Sequence, residues 1–327
     1  MDNRLLRRVP IPGTELEVTY ATVGTMMFGK TADEAESKRI VDAALDHGVN
    51  FFDTANMYQD GESERILGRA LRGRRGECIV ATKVGYGRGE QGEEEGTSRH
   101  AVLRAIDQSL ANLGTDYVDV YYLHRPDYVT PIEETLAAMD EVIRAGKARY
   151  FGISNFAAWQ SYEVLSLCEG RGWPRPAMTQ MIYNLLLRQI EYEYTAFCKK
   201  HDLHLTAYNP LAGGLLTGKY ATLADEEAGT RFVENRIYRQ RYWTQRFFDG
   251  MLRLKEIAEE LGMSLTHLAI NWIAQQDKAD SILLGPGNAD QLLDGLAAGE
   301  ATIAEEGLRR IDEFLAEFEG TDAMYAR

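Results

Sequence analysis

The alternation of short apolar runs with longer segments of helical periodicity restricts the fold of this sequence more than any other feature. The short runs are about strand length and rich in β-branched and aromatic residues, and eight occur along the chain: 16–24, 49–54, 78–83, 117–124, 148–154, 177–184, 203–210 and 281–287. Repeated strand-then-helix units predict parallel strands joined by crossover helices. Eight such units within 327 residues favour an α/β fold of the closed (β/α)8, or TIM, barrel type over an open doubly wound sheet.

The segments between these runs carry apolar residues at helical spacing, and acidic or hydroxyl residues often precede them. A glycine follows several of them, as at Gly48, Gly114 and Gly146, which is typical of a helix C-terminus. Ten helices are therefore predicted: 33–47, 62–71, 99–112, 131–144, 156–166, 191–200, 250–261, 264–275, 289–297 and 302–318.

Three other segments complete the predicted architecture, which is one domain over residues 1–327. Residues 3–18 contain prolines and a glycine and predict an N-terminal hairpin that closes the bottom of the barrel. Residues 84–98 are Gly-rich and acidic and predict a mobile loop, and residues 210–248 form a second long excursion. Both follow barrel strands, so we expect long loops on the C-terminal face.

Composition and charge narrow the function classes. The chain has 36 Lys plus Arg against 50 Asp plus Glu, a net charge of −14, so neither nucleic acid nor a membrane surface is expected as a partner. No apolar run approaches the roughly 18 residues of a membrane span, and the basic first ten residues lack the apolar stretch of a secretory signal. Three widely spaced cysteines, Cys78, Cys168 and Cys198, predict core thiols in a reducing compartment, which we expect to be the cytoplasm.

Three common kinds of site lack their sequence motifs. The six histidines form neither HxH nor HExxH and the cysteines form no CxxC, so no metal site is predicted. The GxSxG motif of serine hydrolases is absent. No GxGxxG follows the first strand, so a Rossmann phosphate loop is not supported.

Polar residues nevertheless stand at almost every predicted strand end, which is where barrel enzymes place their chemistry. Taken singly, Asp53 suits a helix N-cap, Lys83 a solvated strand end and His124 a structural role. Their joint placement favours a functional site, because a polar ring over an apolar floor is not a packing pattern. The ring comprises Asp53, Lys83, His124, Ser154, Asn155, Gln180, Tyr208, Asn209, Gly285 and Gly287.

Tyr58, in the loop after the second predicted strand, adds a proton donor to this ring. A free phenol is a weak acid at neutral pH, but an ammonium beside it stabilises the phenolate. With Asp53 pairing Lys83 and with His124 donating a hydrogen bond, the set suits a carbonyl that becomes an alkoxide. None of these groups is a reductant, so a cofactor must deliver the hydride.

Two amide residues and one aromatic residue suit the nicotinamide of such a cofactor. Asn155 and Gln180 are able to fix its carboxamide, and the ring of Tyr208 is able to stack on it. The alternative for Tyr208 is an ordinary core aromatic of the strand.

The same residues lie in motifs that resemble the aldo-keto reductase family over nearly the whole chain. These motifs are GTMMFG (24–29), FFDTANMYQDGESERILGRAL (51–71), ATKVG (81–85), SLANLGTDYVDVYYLHRPD (109–127), GKARYFGISNF (146–156) and YNPLAGGLLTGKY (208–220). The last motif, followed by GTRF (229–232) and YRQRYW (238–243), is most similar to the aflatoxin-aldehyde and succinic-semialdehyde reductase branch.

The resemblance implies a (β/α)8 barrel that binds NADP(H), with Asp53, Tyr58, Lys83 and His124 as the catalytic tetrad. It implies that Tyr58 and His124 contact the substrate. Tyr238 and Arg241 are implied as two further substrate contacts, and this pair suits an anionic substrate. The implied cofactor contacts are Thr25, Met26, Asp53, Ser154, Asn155, Gln180, Tyr208, Asn209, Pro210, Leu211, Gly213, Lys219, Arg231, Gly285, Gly287, Asn288 and Gln291.

The adenosine end departs from the family pattern. Many relatives have Arg, Lys or Ser for the 2′-phosphate where this chain has Gly287 and Asn288. NADP(H) is expected, with Lys219 or Arg231 able to supply charge, and NAD(H) is the alternative.

Three functions remain in competition. The first is an NADP(H)-dependent reductase of small aldehydes and ketones. The second is a regulatory nucleotide-binding protein of slow turnover, like the potassium-channel β subunits. The third is a sugar isomerase or epimerase that retains its cofactor. The sequence leaves the oligomeric state open.

Overall fold

Eight parallel strands close a barrel in this computed structural model, which describes residues 3–86, 96–220, 222–224 and 231–319. Around the barrel the strand order is β10-β3-β4-β5-β6-β7-β8-β9. Two short strands, β1 and β2, form a separate antiparallel pair. The strand bounds are β1 Arg8–Pro10, β2 Glu17–Thr19, β3 Ala21–Gly24, β4 Phe51–Asp53, β5 Ile79–Val84, β6 Val118–Leu123, β7 Ala148–Ser154, β8 Met178–Ile182, β9 His204–Tyr208 and β10 Ser281–Leu284. The predicted (β/α)8 barrel and its N-terminal hairpin are confirmed.

The predicted first strand, 16–24, is wrong as a single element. It breaks at Tyr20 into β2, which pairs antiparallel with β1, and β3, which joins the barrel between β4 and β10. The Tyr20 ring is buried and the Arg7 guanidinium lies 4.4 Å from its centroid, so this residue anchors the change of direction. The residues on both sides of Tyr20 favour a strand equally. The break therefore follows from pairing, because β2 pairs with β1 whereas β3 pairs with β4 and β10.

The hairpin seals the N-terminal end of the barrel. Ile11, Leu16 and Val18 are buried in one cluster with barrel residues that include Phe51 and Tyr122. Inside the barrel, β7 passes close to Tyr122 at Gly152, where an added Cβ would lie 2.5 Å from the tyrosine ring. The glycine therefore makes room for a large aromatic under the polar ring.

Helices cover the outside of the barrel, and six of the twelve in the described residues begin at a side chain that caps them. Asp33, Ser98 and Ser264 each accept a hydrogen bond from a backbone N–H of the first turn. The bounds are α1 Glu34–Asp46, α2 Glu62–Ala70, α3 Arg99–Leu113, α4 Ile132–Arg144, α5 Ala158–Arg171, α6 Tyr194–Lys200, α7 Arg231–Glu234, α8 Arg236–Tyr242, α9 Gln245–Glu260, α10 Leu265–Gln275, α11 Ala289–Ala297 and α12 Glu305–Glu319.

Two predicted helices are longer in the structure. α5 continues past 166 to Arg171, where Gly172 adopts a left-handed conformation and ends it. α9 begins at Gln245 rather than 250, because Thr244 caps it by accepting from Phe247 N.

The long loops are described only in part. Of the predicted loop 84–98, residues 87–95 lie outside the described residues. The excursion 210–248 contains α7, α8 and the start of α9. In the described ranges no helix has the length and apolar character needed to cross a bilayer. Cys78, Cys168 and Cys198 are buried free thiols, as predicted.

Candidate active site

A buried ion pair forms the floor of the site at the carboxyl ends of β4 and β5. Lys83 Nζ donates to Asp53 Oδ1 and, over 2.8 Å, to the carbonyl of Thr54. The other carboxylate oxygen, Asp53 Oδ2, accepts from Gln180 Nε2 at 2.9 Å. The Asp53 and Lys83 side chains are at most 1% exposed. Asp53 is therefore a partner of Lys83 rather than a helix cap, and Lys83 is not a solvated strand end.

The electrostatics of Lys83 result from two opposing effects. Burial disfavours the ammonium and lowers the pKa of Lys83 below its usual value, whereas the Asp53 carboxylate opposes this shift. Glu64 adds a smaller contribution of the same sign as Asp53. Removal of Asp53 would therefore leave an ammonium buried without its partner.

Tyr58 stands over this pair. It begins a short 3-10 turn after β4, in which Gln59 and Asp60 both have a φ of 50°, a conformation that non-glycine residues seldom adopt. Lys83 Nζ lies 5.4 Å from the centroid of the Tyr58 ring. The ring meets His124 edge-on, with 6.1 Å between centroids. The structure thus brings together the four residues predicted as the tetrad.

His124 follows β6 and carries no charge at neutral pH. Burial lowers the pKa of His124 well below its usual value, and the nearby cations Lys83 and Arg125 lower it further. Tyr86 packs edge-on against the imidazole, with ring centroids 4.8 Å apart. His124 Nδ1 is buried and has no hydrogen-bond partner among the described residues. A neutral imidazole in this position offers a ligand a hydrogen bond rather than a charge.

The residues predicted to bind the nicotinamide are linked to one another. Asn155 Nδ2 donates to His124 O at 2.9 Å and to Ser154 Oγ at 3.1 Å, and Asn155 Oδ1 accepts from Tyr208 OH at 2.7 Å. Ser154 Oγ donates to Gln180 O at 2.8 Å. Asn155 has a φ of 63°, which turns the chain away from β7. This network holds the Tyr208 ring, which is partly exposed, at the edge of the site.

The loop after β9 is shaped by glycine and by one buried tyrosine. Asn209 Oδ1 accepts from Gly213 N at 2.7 Å, and Asn209 Nδ2 donates to Tyr242 OH at 2.7 Å. Gly213 has a φ of 72°, and a Cβ there would lie 2.7 Å from Tyr238 Cδ1. Pro210 is buried and Leu211 half-buried in the same turn.

The loop after β10 ends in the N-terminus of α11. Asn288 Oδ1 caps this helix by accepting from Gln291 N at 2.8 Å, and Gln291 Oε1 accepts from Gly287 N at 2.8 Å. Gly285 is exposed, and no heavy atom lies within 4 Å of a Cβ built on it. Three of the predicted cofactor residues are thus gathered at one helix end, next to an open stretch of backbone.

The remaining predicted cofactor residues are more scattered. Thr25 is fully buried, with its hydroxyl 2.8 Å from Ser63 Oγ, and Met26 is half-buried. Lys219 is exposed, with Nζ 4.9 Å from the ring centroid of Tyr220. The Arg231 side chain lies outside the described residues.

Two of the four residues predicted to contact the substrate, Tyr238 and Arg241, lie on α8. Burial raises the pKa of Tyr208 to about 12, Arg241 opposes this shift, and Tyr238 and Tyr86 add to it. Arg241, Tyr238 and Tyr86 are therefore electrostatic neighbours of the Tyr208 phenol. Tyr86 and Tyr208 thus give the site aromatic sides, and the guanidinium groups of Arg125 and Arg241 lie close to these two rings.

Comparison with known proteins settles the family. The profile of the Aldo/keto reductase family matches residues 22–316. The chain belongs to the aldo/keto reductase family. A rice (Oryza sativa subsp. japonica) relative, "Probable voltage-gated potassium channel subunit beta", is 39% identical over 293 residues, covering 86% of this chain and 88% of its own. A rat (Rattus norvegicus) relative, "Aflatoxin B1 aldehyde reductase member 2", is 37% identical over 306 residues, covering 88% and 80%.

Family membership supports an oxidoreductase that reduces carbonyl compounds with a nicotinamide dinucleotide. The aflatoxin-aldehyde reductases among the relatives are consistent with the predicted branch. The residues present fit such a cofactor, because Gly214 and Gly285 leave open backbone in the two loops that follow the last two barrel strands. Within the described ranges, no group of three or more His, Cys, Asp or Glu side chains is arranged to hold a metal ion.

Sequence reasoning missed three buried residues that support this reductase site. Tyr242 OH accepts from Asn184 Nδ2 at 3.2 Å as well as from Asn209, so it ties two loops together. Glu64 is fully buried and accepts from Thr82 Oγ1 at 2.6 Å and from Asn112 Nδ2 at 2.8 Å. Asn184 ends an apolar run, so the strand-end rule could have found it. Glu64 and Tyr242 lie inside motifs shared with the family, but these motifs alone assign them no role.

Proposed function

We propose that this protein reduces aldehydes and ketones to alcohols, with hydride from a bound nicotinamide dinucleotide and a proton from Tyr58. The observation that carries the proposal is the position of the Lys83 ammonium, which is buried against Asp53 and lies 5.4 Å from the Tyr58 ring centroid. The cofactor supplies the hydride, and NADP(H) is the dinucleotide expected from the sequence.

Each member of the tetrad has a separate part in moving the proton. Asp53 keeps Lys83 charged and fixed by a buried ion pair. The ammonium stabilises negative charge on the phenolic oxygen of Tyr58, which makes proton release easier. Because burial lowers the pKa of His124, the imidazole is neutral and donates a hydrogen bond to the substrate oxygen.

The walls of the site orient the substrate and exclude water. The Tyr86 ring covers one side of His124, and Arg125 stacks on the outer side of that ring, 4.2 Å from its centroid. Tyr208 and Arg241 add a further aromatic ring and a guanidinium to the site. An anionic group on the substrate would meet Arg241 at the rim, in agreement with the substrate contact that the resemblance implies.

Steady-state reduction of a panel of aldehydes, followed by oxidation of NADPH or NADH, tests the proposal. We expect Tyr58→Phe to lower kcat by at least about 100-fold, since a positioned general acid contributes that much. Tyr86→Phe is the matched control: it removes a phenolic hydroxyl from the same site, but its ring still packs on His124. Full activity of Tyr58→Phe would exclude Tyr58 as the acid.

A second candidate function is regulatory nucleotide binding with slow turnover. It is favoured by the relatives from rice and from Arabidopsis thaliana, both of which carry the name of a probable potassium-channel β subunit. Tight dinucleotide binding without turnover of any aldehyde in the panel would favour it over the reductase.

A further inference from the structure

A carboxylate from a distant helix is seated on the N-terminus of α11. Glu36, in α1, accepts a hydrogen bond through Oε1 from Ala289 N at 2.7 Å, across a sequence separation of 253 residues. α11 follows β10, the eighth strand of the barrel. In (β/α)8 enzymes the loops after the last two strands and a nearby helix N-terminus commonly bind phosphate.

Side chains of the protein already occupy three of the backbone amides at this helix end. Ala289 N is taken by Glu36, Gly287 N by Gln291 Oε1, and Gln291 N by Asn288 Oδ1. A phosphate on these amides would have to displace the side chains that now hold them, and would lose as many hydrogen bonds as it gained.

The charge at this helix end is also unfavourable for a second anion. Glu36 Oε2 pairs with Arg39 at 2.8 Å, so that guanidinium is already engaged by the carboxylate. Asp290 lies in the first turn of α11, and the loop residues Gly287 and Asn288 are neutral. A phosphate monoester carries a charge of about −1.5 to −2 at pH 7. It would be repelled by Asp290 and by the part of the Glu36 charge that the exposed Arg39 guanidinium does not neutralise.

A ribose 2′-hydroxyl, unlike a phosphate, binds favourably next to a carboxylate. A carboxylate accepts a hydrogen bond from the 2′-OH of an NAD ribose, and it repels the phosphate that replaces this hydroxyl in NADP. The Glu36 side chain is 22% exposed and is anchored at this helix end through Oε1, so it is partly accessible from the surface of the loop.

We propose that Glu36 is a specificity-determining residue that makes this protein prefer NAD(H) over NADP(H). The inference rests on the proposed function, because it assumes that a dinucleotide binds across the loops after β9 and β10. The sequence alone predicts NADP(H) instead, because the contact between Glu36 and α11 joins distant parts of the chain and no local pattern reveals it.

Calorimetric titration of the full chain with NAD⁺ and with NADP⁺ tests the inference without any turnover. We expect NAD⁺ to bind at least about tenfold more tightly, and Glu36→Gln to reduce this ratio by about tenfold through tighter NADP⁺ binding. The amide oxygen of Gln is still able to accept from Ala289 N, so the helix end keeps its cap. Glu34→Gln is the matched control, because Glu34 lies on the same helix but pairs with Arg69.

The fragments 5′-AMP and 2′,5′-ADP, titrated in the same way, isolate the adenosine end. We expect 5′-AMP to bind more tightly to the wild type, and 2′,5′-ADP to gain more than 5′-AMP in Glu36→Gln. Tighter binding of NADP⁺ than of NAD⁺ by the wild type, or an unchanged ratio in Glu36→Gln, would overturn the inference alone. Failure of both dinucleotides to bind would overturn the proposed function and this inference with it.

Discussion

His204 makes the stability of the barrel depend on pH in a definite window. It begins β9, is 1% exposed, and lies with Nε2 2.8 Å from Ser281 Oγ. Burial lowers the pKa of His204 from 6.5 to about 4, although Asp280 nearby opposes the shift. The buried imidazole is therefore neutral in the folded protein at pH 6, where the exposed imidazole of the unfolded chain is largely protonated.

The sign and size of the effect follow from this shift. Because the folded state binds fewer protons, the free energy of unfolding falls as the pH decreases from 6.5 to about 4, and this contribution is constant below that. A difference of 2.5 pKa units, at about 1.36 kcal/mol each, corresponds to about 3 kcal/mol.

Urea unfolding at a series of pH values between 4.5 and 7.5 measures the effect. His204→Gln keeps a polar side chain but cannot take up a proton, so we expect its stability to vary less across this window than that of the wild type. Carboxylates other than Asp280, which interacts with His204, contribute equally to both proteins and cancel in the difference. The reasoning is refuted if the two proteins lose stability in parallel, or if His201→Gln, a change at a more exposed histidine outside the barrel, gives the same difference.

Two shorter predictions concern the rim of the site. Gly213→Ala adds a Cβ that would lie 2.7 Å from Tyr238, whereas Gly262→Ala adds one in open space at a similar φ of 69°. Each variant is expected to lose about 1 kcal/mol or more of stability, because alanine strains a left-handed backbone. We expect the loss measured by urea unfolding to be larger for Gly213→Ala, and we expect weaker dinucleotide binding for that variant only. Arg241→Met is expected to raise KM for a carboxylate-bearing aldehyde by about tenfold and to leave KM for a neutral aldehyde nearly unchanged; equal effects on both would contradict the role of Arg241 at the rim.

The sequence predicts those parts of the fold and site that local patterns encode. Strand and helix periods, together with the rule that barrel chemistry lies at strand ends, are enough to select Asp53, Lys83 and His124. The break at Tyr20 escapes prediction, because it depends on which strand each half pairs with. The contact between Glu36 and Ala289 also escapes, because no local pattern links residues 253 positions apart.

The loop after β9 also contains one residue that the sequence predicts and one that it does not. Gly213 is predicted from its motif, and the structure supplies the physical reason, a positive φ beside the Tyr238 ring. Tyr242 holds the same loop through Asn209, but the motif 238–243 around it gives no indication of that contact. The resemblance to a known family assigns a role to residues such as Gly213, whereas strand and helix periodicity assigns none.

A double-mutant cycle on kcat for aldehyde reduction measures whether Lys83 acts through Tyr58. Asp53→Asn combined with Lys83→Met removes the ion pair without leaving a buried charge, and Tyr58→Phe removes the acid. If the ammonium works by assisting the phenol, the triple variant will be no slower than Tyr58→Phe alone, provided that all variants still bind the dinucleotide. Losses that multiply in the triple variant would mean that the ion pair and Tyr58 act independently, which contradicts the account.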